Sequence, residues 1–196
     1  VSSVRSKGIK RGVIVDESLV LERLKLALDD ISSRINIPIK KAVITIPAYN
    51  AECTLVHGNV PIVNEEKMVT EKDILRVQNS VVNDILPNME LVSVTPIDFT
   101  IYENGSEIET LKDPKNKICD RLGIRAMMVC VPKTSVVSFA KVVEKSGVEV
   151  VDLVLSPIAD FEEVKTEELE SGMTAIINIG KTITTVSMFN KGIITN

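Results

Sequence analysis

Residues 1–47 show a strand, helix, strand pattern of apolar and polar positions. The segment Gly8–Val15 reads as a short strand between glycines, and Asp16 is placed to cap the helix that follows. Apolar residues recur at helical spacing along Glu17–Ile35, namely Val20, Leu24, Ala27, Leu28 and Ile31. The nearly continuous apolar run Ala42–Ile46 predicts a strand that is buried on both faces. This order of elements predicts the start of an α/β layer.

A different pattern begins after residue 47. Cys53–Val63 reads as an extended segment or a hairpin around Gly58. Thr70, with Asp73 three residues later, resembles the capping box that opens a helix. Apolar residues at helical spacing carry this helix to about Ile85.

Strands dominate the rest of this middle block. Glu90–Tyr102 reads as a long strand in which Pro96 marks either an edge position or a bend. Asn104 and Gly105 form a turn signal, and Ile124–Val131 is a further apolar strand. Residues 48–130 are therefore predicted to form a small α+β unit inserted into the α/β layer.

The α/β pattern returns after residue 130. A helix that Thr134 caps and that Gly147 ends is followed by an apolar strand and a short helix with Pro157 at its start. Two strand-like runs, Ala175–Ile179 and Val186–Phe189, then flank a short polar turn.

That turn carries the chemistry most typical of a binding site. A strand, a glycine turn, hydroxyl groups and a second strand often cradle a nucleotide phosphate. The residues here are Asn178, Gly180, Lys181 and Thr182. Phosphate loops of this kind usually have an Asp at the end of the first strand and further glycines after it. The sequence alone leaves three interpretations: a phosphate loop, a degenerate phosphate loop, or a plain hairpin.

Composition excludes several other classes of function. The chain has 196 residues and a net charge of −4, whereas nucleic-acid-binding domains usually present a basic surface. Aromatic residues make up 3% of the chain, which disfavours base-stacking platforms. The three cysteines have no metal-ligand spacing, and the single histidine, His57, lacks a ligand cluster. No arrangement of Ser, Cys and His suggests a catalytic triad.

Several motifs in order resemble the FtsA family of bacterial cell-division proteins, which lies within the actin and Hsp70-like ATPase superfamily. The motifs are SKGIKRGVIVD from Ser6, VTEKDILRV from Val69, VTPIDFTI from Val94 with KDP from Lys112, EKSGVEVVDLVLSPIAD from Glu144, and EELESGMTAIINIG from Glu167. Each motif alone is modest, but together they cover nearly the whole chain.

The resemblance implies an architecture of α/β and α+β parts: a partial actin-like (ribonuclease H-like) layer with an inserted SHS2-type module. Residues 1–47 and 131–172 would form part of the first actin-like subdomain. Residues 48–130 would be the inserted 1C module, and residues 173–196 would begin the second actin-like half. The chain is therefore expected to be a fragment. The family's first phosphate loop would precede Val1, and its adenine-binding half and amphipathic membrane anchor would follow Asn196.

The resemblance also implies a function. The full-length parent would be a cytoplasmic scaffold at the inner face of the cell membrane that tethers FtsZ filaments and recruits later division proteins. The inserted module would mediate self-association and partner contacts. Nucleic acid is not an expected partner, and membrane contact is expected only through the anchor outside this chain.

The same resemblance bears on the nucleotide site. ATP and Mg²⁺ would be cofactors of the parent, with Asn178, Gly180, Lys181 and Thr182 as a degenerate phosphate loop, and none is expected for this chain alone. Asn178 supplies no charge to a metal shell, and the side chains of Lys181 and Thr182 restrict close approach to phosphate. Lys181 could offset this loss by placing a cation near the phosphates. The chain is therefore not expected to be an enzyme.

Two alternative functions remain open at this point. One is a PilM-type actin-like adaptor of pilus assembly, which shares the inserted module. The other is an ATP-hydrolysing actin-like ATPase, for which the missing Asp and glycines are unfavourable.

Overall fold

The structure, a computed structural model, describes residues 1–82, 85–181 and 183–195. Within these ranges the elements are β1 Ile9–Lys10, β2 Val13–Ile14, α1 Glu17–Ile35, β3 Lys41–Ile46, β4 Glu52–Pro61, α2 Glu71–Ser80, β5 Met89–Glu103, β6 Ser106–Leu111, β7 Arg121–Pro132, α3 Lys133–Lys145, β8 Glu149–Leu155, α4 Ser156–Val164, α5 Glu167–Ser171, β9 Met173–Ile179, β10 Thr184–Asn190 and β11 Ile193–Ile194.

The α/β layer is built on a parallel pair of strands, β3 and β8. Helix α1 begins where the sequence predicts, since the Asp16 side chain accepts a hydrogen bond from the Leu19 amide at 3.0 Å. The expectation that β3 is buried on both faces is wrong. Val43 in this strand is 58% exposed because, among the described residues, β3 pairs only with β8 and part of its surface is left uncovered.

The segment Gly8–Val15 is a small hairpin rather than one strand. Strands β1 and β2 pair in antiparallel fashion, with Ile9 opposite Ile14. The turn between them contains Arg11 and Gly12 at φ values of 52° and 75°, respectively. Glycine adopts the left-handed conformation that this turn requires without steric cost. The two residues together reverse the direction of the chain within four positions.

The middle block contains a four-stranded antiparallel sheet in the order β4-β7-β5-β6. Helix α2 packs on one face of this sheet, and a core forms between Val69, Val77, Leu122 and Ile124. The helix ends at Ser80, with Val81 as its C-cap, and not near Ile85 as the sequence indicated.

Pro96 bends the strand that contains it. The pairing of β5 with β7 shifts register between Pro96 and Asp98, so the proline coincides with a β-bulge, as the sequence predicted in one of its two alternatives. The Asn104–Gly105 turn between β5 and β6 is also as expected, with both residues at positive φ.

Strand β7 connects the two cores of the molecule. Its first half, which includes Leu122 and Ile124, belongs to the core beneath α2. Its second half places Val129 and Val131 in another core with Ile46 of β3. The predicted limit of the inserted module at residue 130 therefore falls inside one continuous strand, and the division into subdomains stays a prediction.

The last part of the chain is a three-stranded antiparallel sheet in the order β11-β10-β9. Helix α4 packs against it through Phe161, whose ring stacks on Phe189 at a centroid distance of 4.4 Å. Helix α3, which precedes this region, starts at Lys133. Its N-cap is Pro132 and not Thr134 as predicted, while Gly147 follows its end at φ 89° as predicted.

In the ranges that the structure describes, no helix combines the length and the apolar character that a membrane crossing requires.

Candidate functional site

The candidate site is built around the turn of the β9–β10 hairpin. Strand β9 ends at Ile179 and β10 begins at Thr184, and these two residues are paired. One pair earlier, Asn178 lies opposite Thr185, so that the amide and the hydroxyl share one face of the hairpin. The same face continues toward the base of the hairpin with Phe189, which is buried.

Gly180 closes the turn tightly, and its own backbone amide makes a hydrogen bond within the turn. Its N–H donates to the carbonyl oxygen of Ile183 at 3.0 Å. A Cβ atom at Gly180 would lie 2.7 Å from the same oxygen, so only glycine fits there. Because this N–H is satisfied within the turn, it is not free to bind a phosphate oxygen. In this respect the turn is a closed hairpin rather than an open cradle.

A cavity of about 220 Å³ lies beside the hairpin and is called the hairpin cavity below. Four segments of the chain enclose it: the turn of β1 and β2, the end of β3, the start of α4, and the hairpin itself. Its lining residues are Arg11, Gly12, Pro47, Ala48, Tyr49, Ser156, Pro157, Asp160, Ile176, Asn178, Gly180, Ile183 and Thr185.

Helix α4 is fixed at this cavity by contacts at both of its sides. The Ser156 hydroxyl donates to the carbonyl oxygen of Ile46 at 3.1 Å, which ties the first residue of the helix to the end of β3. The stacked rings of Phe161 and Phe189 hold the other side against β10. Asp160, next to Phe161 in sequence, lines the cavity as a result.

The four site residues predicted from the sequence differ in their position relative to the hairpin cavity. Asn178 and Gly180 line the hairpin cavity. Lys181 is exposed and is not part of the lining, and Thr182 lies outside the described residues. The charged residues that do line the cavity are Arg11 and Asp160, which the sequence reasoning did not select. The sequence did hold one signal for Asp160: it lies four residues after Ser156 on one helix, and residues at this spacing share a helix face.

The lining residues match a nucleotide with Mg²⁺ only in part. Hydroxyl, amide and carboxylate groups are suitable ligands for phosphate and a hard cation. Within residues 1–82, 85–181 and 183–195, however, no group of three His, Cys, Asp or Glu side chains could hold a metal ion alone. A cation here would therefore need waters or phosphate oxygens to complete its shell.

The cysteines offer no activated nucleophile. Cys53, Cys119 and Cys130 are free thiols. Burial raises the pKa of each of them above its ordinary value of 9.0. A thiol with a raised pKa is mostly protonated at neutral pH and is a poor nucleophile.

A second feature relevant to function is the edge of the middle sheet. The strand order leaves β4 and β6 at the two edges. Leu55 on β4 is 48% exposed, and Ile108 on β6 is 57% exposed. The strand Glu90–Tyr102, for which the sequence allowed an edge position, is partly interior, because Phe99–Tyr102 pairs with both β6 and β7.

Comparison with solved structures defines the class of fold. A chain of the PilM-PilN type IV pilus biogenesis complex superposes with a TM-score of 0.58 at 14% sequence identity, over 97% of this chain and 50% of that chain. At this identity the match shows the fold alone. The expected fold class is confirmed as a mixed α/β structure that shares the fold of this chain of the pilus complex. The insertion of residues 48–130 as a separate module stays a prediction.

Comparison with curated proteins is more specific. The chain is 29% identical over 191 residues to the cell division protein FtsA of Enterococcus hirae, covering 97% of this chain and 42% of that protein. FtsA of Streptococcus pneumoniae is 28% identical over 189 residues (95% and 40%), and FtsA of Bacillus subtilis is 27% identical over 197 residues (100% and 44%). No family model matches the chain.

The resemblance to FtsA that the sequence motifs indicated is therefore confirmed along nearly the whole chain. The chain spans about two fifths of the length of the curated relatives it matches.

Proposed function

We propose that the chain serves as part of a cell-division scaffold resembling FtsA, which tethers FtsZ filaments to the membrane and recruits later division proteins. The observation that carries this proposal is the similarity to FtsA from several bacteria along nearly the whole chain. The protein would act in the cytoplasm at the inner face of the cell membrane.

The site chemistry disfavours catalysis of ATP hydrolysis. The Gly180 N–H is already hydrogen-bonded within the turn, and Asn178 occupies the position where an acid would be expected. Neither feature favours the activation of a water molecule for hydrolysis. Binding of ATP with Mg²⁺ by the full-length parent is compatible with the lining of the hairpin cavity, whereas ATP hydrolysis is not part of the proposed function.

Strand β4 is the surface that we assign to self-association. An edge strand exposes backbone N–H and C=O groups that a strand from a second molecule can satisfy. Strand β4 has ten residues and is longer than the six-residue edge strand β6. Unlike β5, it has no proline in its interior, since Pro61 is its last residue. Leu55 and the neighbouring Thr54 are exposed on it.

The test compares the two edges with one type of substitution. Leu55→Lys places a charge on β4 and Ile108→Lys places the same charge on β6, at residues of similar exposure. Sedimentation velocity over a range of protein concentrations is expected to show self-association of the wild type and the Ile108→Lys variant, and weaker association of Leu55→Lys. If Leu55→Lys keeps its fold by circular dichroism and assembles like the wild type, β4 is not the interface.

A PilM-type adaptor of pilus assembly is the second candidate. The fold match to the chain from the pilus complex favours it. The two functions differ in their dependence on FtsZ, because only a division scaffold requires FtsZ for its position in the cell.

A further inference from the structure

Strand β4 has one edge that is paired and one that is open. In the part of the chain that the structure describes, it pairs only with β7, in a register that runs without a bulge from Glu52 opposite Cys130 to Pro61 opposite Arg121. In an antiparallel pair, the backbone N–H and C=O groups of successive residues point alternately toward the neighbouring strand and away from it. Every second residue of β4 therefore presents both groups to the open edge.

Two hydrogen bonds at the end of β4 show which residues face the open edge. Ile62, directly after the strand, donates to the carbonyl oxygen of Asp120 at 2.9 Å, so the even-numbered positions face β7. The carbonyl oxygen of Pro61 instead accepts a hydrogen bond from Arg76 of α2 at 3.0 Å. The odd-numbered residues therefore present their N–H and C=O groups to the open edge, and those with both groups are Cys53, Leu55, His57 and Asn59.

Both ends of the open edge are defined by the chain itself. At one end, Pro61 has no backbone N–H, and its carbonyl oxygen is already bonded to Arg76. At the other end, Ala51 lies before the strand, and its N–H is bonded to a carbonyl oxygen of the preceding loop. The open edge therefore offers four residues to a partner strand.

A second copy of β4 is complementary to this edge. In a two-fold pair, residue i of one copy meets residue j of the other, and j meets i. With the axis at Val56, Leu55 of each copy lies opposite His57 of the other, and Cys53 lies opposite Asn59. All four residues of the open edge are then paired. An axis at Leu55 or at His57 pairs only three of the four, because the last one meets a residue outside the open edge.

The side chains of β4 fit the same axis. A Cβ at Gly58 would clash with the last residue of α2, so the even-numbered side chains lie on the face that carries this helix. Val56 of the two copies would meet on that face as an apolar pair. On the other face, Leu55 is 48% exposed and would be partly covered by His57 of the second copy. Because α2 contacts β4 at Gly58 and Pro61, the two helices would lie toward opposite ends of the paired strands.

We propose that two copies of the chain pair in antiparallel fashion along β4, with a two-fold axis at Val56, so that their middle sheets join into one. This inference rests on the proposed self-association through β4 and specifies its register and symmetry. A two-fold interface uses the same surface on both copies and is closed. The β4 edge therefore joins two copies and does not by itself build a filament.

Cysteine cross-linking tests the register. Leu55→Cys and His57→Cys are made separately in a Cys53→Ser background, and one of the two variants carries a tag that changes its mass. Opposite residues of a hydrogen-bonded pair lie about 5.5 Å apart at Cα, within the range that a disulfide spans. Mild oxidation of the mixture should give a product of one tagged and one untagged chain. Each variant alone should give about tenfold less product, since its two cysteines are then diagonal and not opposite.

The matched control uses the other edge of the same sheet. Ile108 on β6 has an exposure similar to that of Leu55, so Ile108→Cys mixed with His57→Cys reports random collision. Cross-linking of Leu55→Cys alone, or of His57→Cys alone, to the extent seen in the mixture would place the axis at that residue and overturn the register, while β4 would stay the interface. An absence of cross-linking in every combination would also overturn the register, and the Leu55→Lys measurement then decides whether β4 associates at all.

The size of the assembly tests the symmetry. Sedimentation velocity of the wild type should reach two copies and no more as the protein concentration rises. Larger species that the Leu55→Lys variant loses would overturn the two-fold pairing, because they would require an interface that does not close. The scaffold role is tested separately, by the position of the protein in the cell.

Discussion

At the scale of single residues, Asp73 illustrates how a polar side chain can be buried without loss of stability. The residue is 4% exposed, and its carboxylate accepts hydrogen bonds from the Thr70 amide at 3.0 Å and the Thr70 hydroxyl at 2.6 Å. Arg76 donates to its other oxygen at 2.8 Å. These contacts confirm the capping box. The sequence could predict it because its signal is local, a Thr and an Asp three residues apart.

Replacement of Asp73 should therefore destabilise the middle block. We expect Asp73→Ala to lower the free energy of unfolding by about 1–2 kcal/mol, the cost of a lost helix cap and of the polar groups left without a partner. Urea denaturation at pH 7 measures this effect. Lys72→Ala, at the adjacent exposed position, should change the free energy by less than about 0.5 kcal/mol. Equal effects of the two substitutions would contradict the assigned role.

The contribution of Asp73 should also depend on pH. Burial of the carboxyl group raises its pKa, but the hydrogen bonds from Thr70 and the charge of Arg76 lower it more, so the pKa lies below its ordinary value of 3.8. A lowered pKa in the folded state means that the ionised group stabilises the fold above pH 3.8 and that this contribution is lost as the pH falls through the folded-state value.

The difference in unfolding free energy between the wild type and Asp73→Ala should therefore be largest near neutral pH and should shrink once the pH falls below 3.8. Urea titrations across the acid range measure it. A difference that grows on acidification would show that the ionised carboxylate is not the stabilising form.

At the scale of secondary-structure elements, Gly58 determines how α2 seats on the sheet. The sequence suggested that Gly58 could mark a hairpin turn, yet it lies within the continuous strand β4. A Cβ at this position would lie 2.4 Å from the Ser80 hydroxyl oxygen and 2.6 Å from a methyl carbon of Val81. The glycine therefore allows close approach of the helix end to the strand.

Gly58→Ala should force α2 away from β4. We expect a loss of about 1–3 kcal/mol in the free energy of unfolding, as is typical when a methyl group is inserted into a packed core. Gly172→Ala is the control, because nothing lies within 4 Å of the added methyl group and the backbone there is extended. A Gly58→Ala variant as stable as Gly172→Ala would show that the helix and strand are not packed as described.

The elements that the sequence predicted well are those with local signals. Helix α1 has a capping Asp16 and a regular apolar stripe, and both are set by residues close in the chain. The end of α2 was placed too late, because the apolar residues that follow Ser80 continue the helical spacing although the helix does not. The hairpin of β1 and β2 was missed because one eight-residue strand and two paired two-residue strands would show the same pattern of apolar residues.

At the scale of the whole molecule, the site combines parts that are distant in sequence. The hairpin residues Asn178 and Gly180 could be found from their local pattern. Arg11 and Asp160 could not, since only the packing of α4 and the β1–β2 turn beside the hairpin brings them to the same cavity. Sequence periodicity carries no information on such contacts, so the charged groups of the cavity become visible only in the folded structure.

The chain should not hydrolyse ATP at a measurable rate. Asn178 cannot serve as the acid at the strand end, and the Gly180 amide is bonded to Ile183. A steady-state phosphate-release assay with Mg²⁺ and ATP should give the rate of the protein-free buffer. Release above this rate that disappears on substitution of Gly180 would contradict the prediction, because it would identify the hairpin as part of a working catalytic site.

The proposed role of the molecule in a cell-division scaffold can be tested by its position in the cell. A fluorescent fusion expressed from the native locus, in the bacterium that encodes the protein, should form a band at the division site. The band should disperse when FtsZ is depleted, since a scaffold of this kind is placed by FtsZ filaments. Foci that form away from the division site and persist without FtsZ would contradict the account and would favour the adaptor of pilus assembly.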